Sequence, residues 1–143
     1  MNKLLAAGVA AALASGLAFG AVAQTPSASN EVATAHAHAL MAASADTVEI
    51  GHAHLHHVIN CLVGPKGSGF DAAAGEPCKG QGNGAIPDSK GNAALMGKLE
   101  SALASARAGL QATDLDTIHG DGNKAADALK ANGSAPASSS ASW

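Results

Sequence analysis

Alanine supplies most of the apolar side chains in this chain of 143 residues, and that habit limits what it can fold into. Alanine favours helix and fills little space. The chain is 47% hydrophobic yet only 2% aromatic, with no Tyr. Such a composition argues against a large apolar pocket of the kind most small-molecule enzymes use. A net charge of −3 and a shortage of stacking rings also argue against nucleic-acid binding, which needs a basic face. No nucleophile–base pair stands out, so the expectation is a protein that is not an enzyme.

The first residues have an export pattern. Lys3 provides a positive start, Leu4 to Gly20 is an uncharged apolar run, and Ala21-Val22-Ala23 is a small-x-small cleavage signature. The run is short for a membrane span, is diluted by Gly8, Ser15, Gly16 and Gly20, and has no basic stop-transfer cluster after it. The expected organisation is a signal peptide over 1–23, a single helical domain over 24–132 and a Ser/Ala-rich disordered tail over 133–143. The mature product is then exported, to a bacterial periplasm or beyond, without stable membrane insertion.

Between Glu31 and Val63 there is neither proline nor a turn cluster. At about 100° per residue, Ala37, Leu40, Met41, Ser44, Val48, Leu55, Ile59 and Leu62 share one face, which predicts one long helix. The rival is a break at Asp46-Thr-Val-Glu49, which reads as a capping box. Leu95, Leu99, Leu103 and Leu110 mark a second helix over 93–111. Leu115, Ile118, Ala125, Ala126 and Leu129 mark a third, interrupted by Gly120 and Gly122. The expected fold is all-α: a small antiparallel helical bundle of one long helix and a helical hairpin.

The intervening stretch 64–92 holds eight of the 17 glycines together with Pro65, Pro77 and Pro87, and reads as a long irregular loop. Cys61 and Cys78 are the chain's two cysteines. In an oxidising compartment an even count predicts a disulfide. At this separation it is worth roughly 3 kcal/mol on the chain-entropy estimate. It would tether the loop, with Phe70, Ile86 and Val63 plugging it onto the helices.

Histidine is the unusual residue. Six of the seven lie in the first helical stretch: His36, His38, His52, His54, His56 and His57. Neutral imidazoles are common transition-metal ligands. His52 and His56, at i and i+4, share a flank, and Glu49 lies three residues before His52, giving a Glu49–His52–His56 stripe. His54, His57 and Cys61 form a second stripe, which loses its sulfur if the disulfide forms. His36 and His38 join neither stripe on one straight helix, while His119 can cross over from the last helix. The ions that fit are Cu or Zn, with Ni behind them.

Glu49-Ile-Gly-His52 and Asp116-Thr-Ile-His119 bear an architectural likeness to di-iron carboxylate sites. Those sites draw a further Glu from each of two more helices, but Glu31 and Glu100 are the only glutamates left on helices, three helices are expected and Asp116 replaces one Glu. Bis-histidine haem lacks the aromatics to wrap it. Gly80-Gln-Gly82-Asn-Gly84 has no preceding strand, and Asp114-Leu-Asp116-Thr-Ile118 fails as a calcium loop because His119 stands where glycine is required. Two functions remain: transition-metal binding or buffering, with a homodimer as one way to recruit more ligands, and a non-catalytic structural or interaction module whose histidines are solvated or at an interface.

Overall fold

The computed structural model describes residues 28–130. The signal segment over 1–23, residues 24–27 and the tail over 133–143 with the two residues before it lie outside the described residues. Five α-helices and no strands occur among the described residues: α1 (Ala28–Ala43), α2 (Val48–Val63), a short α3 (Ala85–Asp88), α4 (Ala93–Gly109) and α5 (Leu115–Leu129). A 3-10 turn spans Ala72–Ala74. The four long helices form a bundle in which α1 packs between α2 and α5, and α4 closes the ring between α5 and α2.

The expected long helix is two helices. Ser44 turns its hydroxyl back onto the Leu40 carbonyl at 3.0 Å. Thr47 then adopts an extended conformation and its hydroxyl accepts the Ile50 N–H at 3.2 Å, so it N-caps α2. Ser44, Asp46 and Thr47 are all residue types that favour caps over helix interiors. The break lets α1 fold back along α2 as an antiparallel hairpin, which a straight helix could not do.

The buried face of α1 is also different from the one periodicity suggested. Ala35, Ala39 and Ala42 are fully buried, while Leu40 and Met41 are each 46% exposed. Close helix approach decides this. A Cβ on Gly122 of α5 would stand 2.7 Å from the Ala43 nitrogen and 3.0 Å from the Ala39 carbonyl oxygen. Only small residues fit between backbones that near, so alanine and glycine form the α1–α5 seam. The expected interruption does not occur: α5 runs unbroken through Gly120 and Gly122, of which only Gly122 lies at this seam. Leu55, Val58, Leu62, Leu99 and Ile118 supply the larger buried side chains.

Cys61 and Cys78 form the expected disulfide, with Cα atoms 5.3 Å apart. Phe70 and Ile86 pack against the core as anticipated, and Val63 belongs to it. The stretch 64–92 is more ordered than an irregular loop, since it holds the 3-10 turn and α3. Its start passes its middle at Gly64, whose φ of 70° and closeness to the Asn83 carbonyl leave no room for a side chain.

The buried Glu31 fastens α1 to this segment. Its Oε1 accepts the Gly84 N–H at 2.7 Å. Burial, and the nearby Asp88 carboxylate, raise its pKa above the ordinary value.

Candidate metal centre

The α1–α2 hairpin places His38 against His54 and His57. His38 Nδ1 lies 3.1 Å from His54 Nδ1 and 3.3 Å from His57 Nδ1. The three rings have centroids 4.6–5.9 Å apart. One nitrogen from each lies within 4.8 Å of the others, and among the described residues this is the one group of three such side chains that could hold a metal ion.

The separations suit coordination. Two nitrogens bound to one zinc at 2.0–2.1 Å with a tetrahedral angle stand about 3.3–3.4 Å apart. One tautomer is fixed by chemistry. His57 Nε2 lies 2.7 Å from the Ala74 carbonyl oxygen, which can only accept, so Nε2 carries the proton and donates it. His57 Nδ1 is therefore the lone-pair atom, and it faces His38. A histidine whose far nitrogen donates to a backbone carbonyl is the usual arrangement at metal sites.

The electrostatics favour neutral rings. Burial, reinforced by His57 and His54, lowers the His38 pKa to about 4. Burial and then His57 also lower that of His54. Each neutral ring carries one N–H and one lone pair, so in the metal-free protein an N–H on His38 Nδ1 can bridge to His54 or His57, and a metal ion can take its place when the rings turn their lone pairs inward.

The other histidines have different partners. His52 Nε2 donates to the Ala112 carbonyl at 2.9 Å, and His119 Nε2 donates to the Ala45 carbonyl at 2.8 Å. Each thereby ties a helix to a connector, satisfying a carbonyl left free just beyond the end of α1 or α4. His56 Nδ1 faces Asp71 Oδ2 at 3.6 Å. Glu49 is exposed, and its own backbone N–H, with the Thr47 hydroxyl, holds its carboxylate below the ordinary range. Glu49, His52 and His56 thus do not assemble a three-ligand group, whereas His54 and His57 do, with His38 in place of Cys61.

His38 is the member of this group that the long-helix reading excluded. The rival start at Asp46-Thr-Val-Glu49 held the needed signal, although the cap that forms is Thr47, one residue later than that box. A turn there sets residue 38 opposite residues 54–57 on the returning helix.

Two surface grooves, of about 660 Å³ beside Val63 and Leu103 and about 640 Å³ beside His36 and Leu95, are larger than the alanine-rich composition suggested. Neither is lined by a member of the histidine trio. Comparison with protein-family models, curated proteins and solved structures gave no match.

Proposed function

We propose that this is an exported, non-catalytic protein that binds or buffers a transition metal through His38, His54 and His57. The observation that carries the reading is the convergence of three imidazole nitrogens, two of the separations being 3.1 and 3.3 Å. An all-imidazole set suits Zn or Cu, with Ni behind them. The disulfide removes Cys61 as a thiolate. Three protein ligands leave a fourth position for water or an exchanging group, which suits buffering.

Export is supported by the signal-like N-terminus and the disulfide. No helix among the described residues is long and apolar enough to cross a membrane.

Calorimetric titration of the chelator-treated protein with Zn(II) and Cu(II) tests the reading. Wild type should bind one ion per chain, His38→Ala should lose at least tenfold in affinity, and His56→Ala should bind as wild type does. Equal affinity for wild type and His38→Ala would refute the site.

A further inference from the structure

We propose that Asn60 is a positioning residue for this metal centre: it holds the Ala74 carbonyl where His57 can donate to it, and so keeps His57 Nδ1 free for the metal. The proposal rests on the metal reading for its consequence, but its structural part stands on its own contacts.

Asn60 follows His57 by three residues on α2, so both side chains face the 71–75 segment. It is 2% exposed. Its amide nitrogen donates to the carbonyls of Asp71 at 2.7 Å and Gly75 at 2.6 Å. Its amide oxygen accepts the Asp71 N–H at 2.8 Å. Three of the four hydrogen bonds an asparagine can make are thus spent on the two ends of one short turn. Asp71 Oδ1 caps that turn at the Ala73 N–H, 2.9 Å away. Ala74 lies between the two anchored carbonyls, and its own carbonyl receives the His57 proton at 2.7 Å.

The Cys61–Cys78 disulfide fixes where the segment ends, but a bond at residue 78 does not set the rotation of the Ala74 peptide. The Asn60 amide, bonded on either side of Ala74, does. Gly75 completes the fit: at φ 97° it takes a turn that side chains avoid, and a Cβ there would stand 3.4 Å from His57 Nε2. Without the clasp, the Ala74 carbonyl is free to turn away. The His57 proton then divides between the two ring nitrogens, and protonation at Nδ1 blocks coordination there.

The test is Asn60→Ala in the disulfide-bonded protein, with helicity checked by circular dichroism. Two readings are taken: the His57 tautomer from long-range proton–nitrogen NMR of the metal-free protein, and Zn(II) affinity by competition with a chelator. Wild type should show His57 protonated at Nε2. The variant should show a mixture, with Zn(II) affinity lower by about 10–100-fold, the range seen when a ligand's supporting partner is removed, because the ring loses the bond that orients it as well as the one that fixes its tautomer. A folded variant with unchanged tautomer and affinity would overturn the proposal. If wild type binds no Zn(II) yet the variant shifts the tautomer, the positioning role survives and the metal reading fails. If the variant does not fold, wild type decides: His57 protonated at Nδ1 overturns the proposal, and Nε2 protonation that persists in folded Cys61→Ser/Cys78→Ser protein supports it.

Discussion

His38 Nδ1 lies 3.3 Å from His57 Nδ1, across a hairpin whose turn separates them by 19 residues in sequence. Both rings lie beside the His54 ring, and both arrive there because α1 reverses at Ser44–Thr47. The site is a product of that reversal rather than of any one helix.

The depressed pKa of His38 makes the metal-free fold sensitive to acid. The folded-state pKa, about 4, is below the ordinary 6.5, so between those values the unfolded chain binds more protons than the folded one. Stability contributed by the neutral ring is complete above about pH 6.5 and is lost as pH falls toward 4. His54 contributes in the same direction. Thermal melts of wild type and His38→Gln from pH 7.5 to 4 should show the wild type losing ground to the variant as pH falls. Parallel curves would refute the assignment.

Glu31 behaves oppositely. Its pKa is raised by burial and by Asp88, so its carboxylate destabilises the fold as pH rises through the folded value, and its protonated form is the better fit. Glu31→Gln keeps an acceptor for the Gly84 N–H and adds an N–H toward Asp88. The variant should be more stable than wild type at pH 7, by about 1 kcal/mol, with the gain shrinking as the pH falls through the folded-state value and gone below about 4.5. Urea unfolding at the two pH values measures it.

Two glycines on one helix should respond in opposite directions. At Gly120 an added Cβ meets nothing within 4 Å. Gly120→Ala should therefore stabilise by up to about 1 kcal/mol through helix propensity. At Gly122 the Cβ would press on the α1 backbone at Ala39 and Ala43. Gly122→Ala should be net destabilising by about 1–2 kcal/mol, overpacking outweighing propensity. Urea midpoints that move together would show that the α1–α5 seam is not close-packed.

Removing the disulfide in Cys61→Ser/Cys78→Ser should lower stability by about 2–3 kcal/mol. The loss should fall on the 64–92 segment, with amides there exchanging faster while α4 and α5 keep their protection. Uniform exchange across the chain would show that the crosslink sustains the whole fold instead.

Much of this was legible in the sequence. The helices over 93–109 and 115–129, the disulfide and the plugging role of Phe70 and Ile86 follow from leucine spacing, cysteine count and the lack of other apolar groups in the loop. The break at Thr47 was visible as a capping box but was outweighed by an apolar phase running through Leu40 and Met41, which the fold leaves exposed. Periodicity weights large side chains, whereas here backbone proximity selects alanine. The site inherited that error: with the helix drawn straight, His38 stood far from His54 and His57. The backbone partners of His52 and His119 depend on tertiary placement, which sequence spacing does not carry.

The central claim is that His38, His54 and His57 bind one metal ion through Nδ1. Long-range proton–nitrogen NMR before and after one equivalent of Zn(II) tests it most directly. Large shifts of the Nδ1 signals of these three rings are expected, while His52, His56 and His119 stay near their metal-free positions. Shifts centred on His52 and His56, or none at one equivalent, would contradict it.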